Sequence, residues 1–542
     1  MKRILKGFGI VAILLVGMSA SFQPNNKYFE IIKNLEIFSN LYKEINTYYV
    51  DDVDPGQLMR TGIDAMMESL DPFTNYISES EIEGYRFMTE GKYNGIGAVS
   101  KKMDGFVTIT DLYEGQAADK AGLKPGDRII AVDGQDATNK EPDAINNILR
   151  GFPGTTVELT IRRPGRSEDF NVTLVRTEVQ VPNVPFYGMV GDGIGYIALT
   201  TFTREAGSNV ANALKDLKAE NPDLKGVIFD LRGNGGGLLN EAVNVSNVFI
   251  PRGELVVTTK GKVKDWDRSF STMGQAVDTE IPLVMLINKN SASASEIVSG
   301  VIQDYDRGVL MGQRSYGKGL VQNTRDIGYN SKLKLTTAKY YIPSGRCIQS
   351  VEYKDGEPVH IPDDRRTPFK TRNGRTVLDG GGVKPDVMVD EFSDEPVVKS
   401  LLEQNLIFHY VTEFCLAHDS LASLQDFHFA DFDGFLKFLD SKHFDYDTDS
   451  EKLLKEFQKK STEEGYTLDS KIKELEAQID ATKKDELTQN KAAIIDLIEK
   501  EIASRYFYQK GKIQMGLRND AEIEEAKALI NAPQQYQSLL KG

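Results

Sequence analysis

The sequence predicts a multidomain protein with an α/β core, and three observations support this prediction. The chain has 542 residues, several times the length of a typical single domain. Between residues 187 and 389, apolar strand-like runs alternate with helical ones, a pattern that indicates an α/β core. Helical patterns lie at both ends of the chain, and a β-rich region precedes the core. We therefore expect three or four structural units.

The composition is that of a globular protein and argues against nucleic-acid binding. Hydrophobic residues make up 40% of the chain and charged residues 27%, and the formal net charge is -15. No basic stripe is present, so we expect no nucleic-acid partner. Cys347 and Cys415 allow at most one disulfide, so stability must come from packing.

Residues 1–20 have the pattern of a signal peptide. Basic residues at positions 2, 3 and 6 precede an apolar run from 8 to 16, and small residues follow it. The run is short for a membrane-spanning helix, so we expect cleavage near Ala20 and an exported, periplasmic or cell-envelope protein. A retained N-terminal membrane anchor is the alternative.

The remaining chain divides by its patterns into four regions. We predict an N-terminal helical region at 28–88, a β-rich domain at 89–178, the α/β core at 185–393 and a C-terminal helical domain at 394–542. The core strands are predicted at 194–202, 226–231, 282–288, 309–312 and 332–342. In the last region, charge-laced helical runs cover 450–461 and 469–502.

The β-rich region has features of a site for peptide tails. The turn Gly95-Ile96-Gly97-Ala98 opens a strand, and residues 115–134 follow with further turn signals. A glycine turn lets backbone N–H groups converge on a carboxylate, while the adjoining strand edge pairs with an extended peptide. These segments resemble a PDZ domain. A simple tight turn is the alternative for the glycines alone.

A serine-rich segment lies where a predicted strand gives way to a predicted helix. Ser291, Ser293 and Ser295 precede the helical run 297–305. Helix N-terminal amides stabilise developing negative charge, so a hydroxyl here suits a nucleophile. Serine is also a preferred helix cap, and the local pattern does not choose among the three residues.

Lys318 lies between two glycines on a loop after the predicted strand 309–312. A lysine serves as a general base only where burial and its surroundings lower its pKa, and an ordinary solvated lysine is the alternative. Gly312, Gly317 and Lys318 also match the start of a phosphate-binding loop. Position 319 is glycine instead of serine or threonine, and residues 320–324 look extended, so the pattern disfavours nucleotide binding.

Three segments, 230–239, 291–297 and 315–322, together resemble the carboxyl-terminal processing, or tail-specific, serine peptidases over about residues 45–389. The resemblance implies a crotonase-like α/β protease core, with the PDZ domain inserted between the N-terminal helices and the core. It assigns Ser293 as nucleophile, Lys318 as base and Gln322 as the residue that orients the base.

The resemblance also implies roles for backbone donors and for one arginine. The oxyanion donors are expected at Gly236 and Ala294, with Gly235 as a rival to Gly236. Gly235 is a rival because this chain has Arg-Gly-Asn-Gly-Gly-Gly where many relatives have Arg-Asn-Asn-Pro-Gly-Gly. Arg150 stands where relatives carry an arginine that senses a loaded PDZ domain, and an ordinary surface arginine is the alternative.

The expected function is therefore an endopeptidase that captures free C-termini of proteins or peptides and works through an acyl-enzyme. We expect no cofactor and no metal, because the five histidines lie outside the three segments and no zinc-ligand pattern occurs. The helical termini suggest an adaptor or a second copy of the chain as further partners. The competing hypothesis is a non-catalytic protein that holds partners through its PDZ domain.

Overall fold

The computed structural model describes residues 26–354, 357–360, 362–389, 395–421 and 423–542, so the predicted signal peptide lies outside the described part. The described residues divide into two units, 26–76 with 357, and the remainder. In the first unit, Asp54 caps the second helix by accepting the Gln57 N–H. None of the described helices is both long and apolar enough to span a membrane. The first elements are α1 (Asn26–Tyr48), α2 (Pro55–Glu68) and β1 (Asn75–Ile77).

The β-rich region forms a sheet in the order β3-β4-β5-β7-β8, with β6 paired to β5. Val107, Ile129 and Ile161 are fully buried in its core. Strand β3 lies at the sheet edge, so one side of it is open to a further strand. The elements of this region are α3 (Ile82–Glu90), β2 (Lys92–Gly95), β3 (Ala98–Met103), β4 (Phe106–Leu112), α4 (Ala117–Lys120), β5 (Arg128–Val132), β6 (Gln135–Asp136), α5 (Pro142–Leu149), β7 (Thr156–Arg162), β8 (Phe170–Val175) and β9 (Thr177–Gln180).

The core is a six-stranded sheet in the order β10-β11-β12-β15-β16-β23, antiparallel only between β10 and β11. Alternate residues of the parallel strands pack on opposite faces, as with Phe229 and Ile228 of β12. Both faces are covered by helices, so these strands read as continuous apolar runs. Its elements are β10 (Phe186–Met189), β11 (Ile194–Ala198), α6 (Ala206–Glu220), β12 (Gly226–Asp230), α7 (Leu239–Phe249), β15 (Leu283–Ile287), α8 (Ala294–Asp304), β16 (Val309–Gly312) and β23 (Val387–Met388).

A second, antiparallel sheet lies beside this core. Strand β18 pairs with β17 and β13, and β13 pairs with β14. The extended conformation predicted for residues 320–324 is confirmed, because they belong to β17. The bounds are β13 (Leu255–Gly261), β14 (Arg268–Ser271), β17 (Leu320–Gly328), β18 (Ser331–Tyr341), β19 (Val351–Lys354), β20 (Glu357–His360), β21 (Pro368–Lys370) and β22 (Thr376–Leu378).

Helices make up the C-terminal part of the chain. The helical run predicted at 469–502 is divided at Asn490, which lies between two helices. The last two helices bury Ile523, Leu529 and Tyr536 against the core sheet. The final helices therefore complete the core, although the sequence grouped them with the C-terminal helical domain. The bounds are α9 (Pro396–Glu403), α10 (Leu406–Ala417), α11 (Phe432–Ser441), α12 (Asp449–Glu463), α13 (Asp469–Gln489), α14 (Lys491–Gly516), α15 (Ala521–Ile530) and α16 (Pro533–Leu539).

Removing the Tyr536 hydroxyl should destabilise the core. This hydroxyl accepts the Leu283 N–H at 2.9 Å and donates to the Leu283 carbonyl oxygen at 3.1 Å, in a buried position. Tyr536→Phe leaves both backbone groups without this partner, at a cost of about 2 kcal/mol. Thermal unfolding should show a lower melting temperature. Tyr187→Phe is the matched control, since the Tyr187 hydroxyl binds Asp216 at the exposed surface, and an equal effect of both substitutions would contradict the prediction.

Candidate active site

Three loops that carry the predicted site residues meet at one edge of the core sheet. The glycine loop follows β12, Ser293 follows β15, and Lys318 follows β16. These strands are parallel neighbours, so their carboxyl ends lie side by side, the place where α/β sheets bind ligands. Gln322 lies on β17.

The loops border a cleft of about 620 Å³. Ser293, Lys318 and Gln322 all line it, as do Gly236 and Ala294. The structure thus brings together the predicted nucleophile, base, orienting residue and oxyanion donors. Within this cleft the Gln322 side-chain amide donates to the Thr336 hydroxyl at 3.3 Å. Gly235 lines the cleft too, so it is also placed for the role assigned to Gly236.

Ser293 has a strained backbone at the start of α8. Its φ is 56° and its ψ is -111°, in a region that residues with a Cβ rarely adopt. The other two serines have buried hydroxyls bonded to the neighbouring loop: Ser291 donates to the Leu231 carbonyl and Ser295 to the Asn234 carbonyl. Of the three serines that the sequence could not separate, only Ser293 lines the cleft.

Glu296 links the nucleophile segment to the lysine loop. Its carboxylate accepts the N–H groups of Ser293 at 2.8 Å, Gly317 at 2.6 Å and Lys318 at 2.8 Å, and the Ser315 hydroxyl at 2.5 Å. Glu296 is fully buried. Burial raises its pKa to about 6, while these hydrogen bonds act in the opposite direction. Glu296 was not singled out from the sequence, although Ser-x-x-Glu at a helix start is a capping-box signal.

Tyr340 of β18 makes a second link between the same segments. Its hydroxyl lies 2.5 Å from the carbonyl oxygen of Lys318 and 3.1 Å from that of Ser293, so its single proton is shared between these two acceptors. The side chain is almost fully buried. Burial, with the nearby Glu296 carboxylate, raises the pKa of Tyr340 well above its ordinary value, so the phenol stays a donor. No sequence signal pointed to this residue.

Asn234 shapes the glycine loop. It is fully buried; its side chain donates to the Leu199 carbonyl at 2.7 Å and accepts the Gly236 N–H at 2.9 Å. Its own carbonyl accepts the Ala292 N–H at 3.0 Å, which joins the loop to the serine segment. The predicted oxyanion donor Gly236 therefore already has an acceptor in this conformation.

Gly236 also approaches the serine segment very closely. A Cβ placed on it would lie 2.7 Å from the Ala292 carbonyl oxygen, 2.8 Å from the Ser293 Cβ and 2.9 Å from the Ala294 nitrogen. Its φ of 99° is likewise unfavourable for a residue with a side chain. Nothing lies within 4 Å of a Cβ placed on Gly235. Gly236 and the Ala294 amide, the two predicted oxyanion donors, therefore lie next to each other in the cleft.

A cluster of charges fixes the start of the same loop to the end of the chain. Arg232 pairs with Asp230 at 2.6 Å and Asp520 at 2.8 Å, and also with Glu522. Asp230 in turn accepts the Tyr196 hydroxyl at 2.8 Å. Asp520 and Glu522 lie at the start of α15, so the last helices hold the glycine loop as well as the sheet.

A second cleft of about 200 Å³ lies in the β-rich region, between strand β3 and helix α5. Gly95, Ile96 and Ala98 line it, and the predicted Arg150 does so at the end of α5. Gly97 has a φ of 79°, and a Cβ on it would lie 2.2 Å from the Gln116 Cβ, so the turn requires glycine. Arg150 lies at this groove and not among the residues that line the cleft of Ser293 and Lys318.

Family models match three parts of the chain. The model described as "Peptidase family S41" matches residues 193–356, a PDZ domain model matches residues 108–163, and the model described as "Probable PDZ-protease, C-terminal helical domain" matches residues 397–530. The first two segments contain the loops that border the cleft of Ser293 and Lys318 and much of the β-rich sheet.

Individual proteins match over longer stretches. The "Carboxy-terminal-processing protease" of Bartonella bacilliformis is 36% identical over 339 residues, which cover 62% of this chain and 77% of that protein. The "Probable CtpA-like serine protease" of Staphylococcus aureus is 33% identical over 61% of this chain and 65% of that protein. The solved structure of a photosystem II D1 C-terminal processing protease is 26% identical, covers 68% of this chain and 96% of that one, and has a TM-score of 0.35.

A side chain at Gly236 should disable the cleft. Because the added Cβ would displace Ser293, we expect Gly236→Ala to slow labelling by a serine-reactive fluorophosphonate roughly 100-fold. Gly235→Ala, where the Cβ meets open space, is the matched control and should label at nearly the wild-type rate. Equal rates for the two variants would show that the close approach does not position the serine.

Glu296→Gln should weaken the hydrogen bonds that hold the Ser293 segment and the Lys318 loop together. The amide keeps one acceptor oxygen but turns an NH₂ group toward buried donors, and each donor left without a partner costs about 1–3 kcal/mol. We expect a lower melting temperature together with slower fluorophosphonate labelling. Glu241→Gln is the control. The buried Glu241 carboxylate accepts a hydrogen bond from the Gly207 N–H, and the oxygen of a glutamine amide can accept the same bond. The prediction fails if Glu296→Gln labels as fast as Glu241→Gln.

Proposed function

The chain belongs to peptidase family S41, as a carboxy-terminal-processing serine protease with a PDZ domain, and from this membership we propose that it cleaves peptide bonds with Ser293 as nucleophile and Lys318 as base. One observation carries the proposal: both side chains line one cleft while Glu296 ties their backbones together. Ser293 is also the cleft-lining member of its serine triplet, and its strained backbone is typical of functional sites.

The proposed reaction is acyl transfer in two steps. The neutral amine of Lys318 takes the proton of the Ser293 hydroxyl as the serine oxygen attacks the peptide carbonyl carbon. Lys318 returns this proton to the leaving amine when the C–N bond breaks, which leaves an ester on Ser293. Water then attacks the ester with Lys318 again as base, the acid is released, and the serine hydroxyl is restored. Gln322 lines the cleft beside them and is the proposed orienting residue for the base.

The oxyanion is proposed to bind backbone amides at the start of α8. The Ala294 N–H lies at the positive end of this helix, and its nitrogen is close to Gly236. Gly236 can supply the second donor only by exchanging its bond to the Asn234 side chain for the oxyanion. Gly235 is the alternative donor. Asn234 is thus a positioning residue, and its side-chain oxygen competes with the substrate oxyanion for the Gly236 N–H.

Substrates are proposed to be proteins or peptides with free C-termini, captured by the PDZ domain. The groove supports this role because β3 is an edge strand that can pair with an extended tail, and the turn Gly95-Ile96-Gly97-Ala98 lies at its end. Binding there raises the concentration of the adjoining chain near the catalytic cleft. Arg150 lines the groove and is proposed to sense its occupation.

The remaining proposals concern location and architecture. The pattern of residues 1–20 supports export with cleavage near Ala20. We also propose that the core is crotonase-like and that the domains follow the limits predicted from the sequence, except that the last two helices belong with the core. The helical termini are proposed to contact an adaptor or a second copy of the chain.

Ser293→Ala and Lys318→Ala should each abolish labelling by a fluorophosphonate and cleavage of an unfolded protein with a free C-terminus. We expect a loss of at least about 1,000-fold, because each side chain acts in the bond-breaking step. Lys334→Ala is the matched control, since Lys334 lines the same cleft without an assigned role. If the wild-type protein binds tails but does not cleave them, the non-catalytic hypothesis is supported instead. If cleavage survives Ser293→Ala, the nucleophile is a different residue.

A further inference from the structure

The tail groove contains a tyrosine at the end where a carboxylate is expected. Tyr93 lies on β2, just before the glycine turn, and lines the groove. Its ring is packed edge-on against Phe87 at 5.7 Å and against Tyr113 at 6.4 Å, and the Arg150 guanidinium lies 6.0 Å from the ring centre. A Cβ on Gly95 would lie only 2.8 Å from this ring, so glycine is needed there to admit it.

The Tyr93 hydroxyl is buried beside the amides of the glycine turn. Burial raises the pKa of the phenol well above its ordinary value, while the N–H groups of Gly97 and Ala98 partly oppose this rise. The oxygen nevertheless makes no hydrogen bond of good geometry with any described residue. The oxygen thus fills space beside these amides without a well-formed hydrogen bond, whereas a carboxylate in that space would accept charge-assisted hydrogen bonds from them.

We propose that Tyr93 occupies the carboxylate end of the tail groove in the ligand-free protein and must be displaced when a C-terminus binds. The inference rests on the proposed tail binding and goes beyond it, because it makes Tyr93 a competitor that lowers the affinity for every tail. The phenol lies against the amides that the carboxylate needs, and the two cannot occupy the same space. Arg150, over the Tyr93 ring, is placed to attract the arriving negative charge.

Displacement of Tyr93 also reaches the catalytic cleft. Phe87 contacts the Tyr93 ring and lines both the tail groove and the catalytic cleft. Tyr85 and Met88 of the same helix line the catalytic cleft as well. The Arg150 guanidinium lies beside Gly84, so it contacts this helix too. Helix α3 therefore lies between the two clefts, and it contacts Tyr93, the residue that a bound tail would displace.

The test measures binding of tails in a Ser293→Ala background, where no cleavage can occur. The probe is a fluorescein-labelled decapeptide that ends in valine, chosen because Ile96 and Leu149 make the groove apolar, and its twin carries a C-terminal amide. Tyr93→Phe removes the hydroxyl and keeps the ring. We expect it to bind the free-acid peptide about fivefold more tightly than the background protein does, because the space that the hydroxyl fills beside the amides is then open to the carboxylate. The amidated peptide should gain less than twofold.

Tyr113→Phe is the matched control, since it removes the hydroxyl of a half-buried tyrosine in the same aromatic group, and the affinity of this variant should stay within about twofold of the background. Weaker, unchanged or undetectable binding of the free-acid peptide by Tyr93→Phe overturns the proposal. So does an equal gain for the amidated peptide. The proposed peptidase function is tested separately, by measuring cleavage. If the fivefold change in affinity is seen but no hydrolysis depends on Ser293, the proposal for Tyr93 stands and the proposed peptidase function is wrong.

Discussion

The catalytic cleft depends on the buried carboxylate of Glu296. The segment of Ser293 and the loop of Lys318 follow different strands, and a parallel sheet alone does not fix how two such loops face each other. Glu296 accepts hydrogen bonds from both backbones, so their relative position is set by main-chain atoms. The side chains of Ser293 and Lys318 can then both line the cleft. Burial disfavours the ionised form, but with a pKa of about 6 the carboxylate is ionised, and so an acceptor only, at neutral pH.

The other loops of the cleft are held in the same way, by polar side chains that come from distant parts of the chain. Tyr340 supports the serine and lysine segments from the antiparallel sheet. Asn234 holds the glycine loop from within, and Glu522 fixes its start from the last helices through Arg232. The loops at this edge thus form one network of buried hydrogen bonds, in which loss of a single acceptor leaves buried donors unpaired.

The sequence predicted the core well because buried strands and their turns leave local patterns. The runs at 226–231, 282–288 and 309–312 correspond to β12, β15 and β16, and residues 320–324 are extended as expected. The choice among three serines could not come from local pattern, because the Ser291 and Ser295 hydroxyls bond to a loop about 60 residues away in the chain. Glu522 lies 290 residues from Arg232, and no periodicity encodes such a contact. The site assignments therefore came from the family resemblance, while the supporting residues came from the structure.

Helix α3 gives the two clefts a common wall, and its anchoring decides how the wall can move. Its C-terminal end is fixed to neighbouring segments: the Gly91 carbonyl accepts the Val181 N–H, and the Thr89 carbonyl accepts the Arg204 N–H. A Cβ on Gly91 would lie 3.0 Å from the Thr203 hydroxyl, so this end has little room to shift. The rest of the helix is held through side chains: Glu83 accepts the Asn94 N–H at 3.3 Å, and Arg86 pairs with Glu178 at 2.8 Å. A tail that displaces Tyr93 therefore acts on α3 through side-chain contacts, and the coupling to the other cleft is limited to the difference between the contacts that Phe87 makes with and without a bound tail.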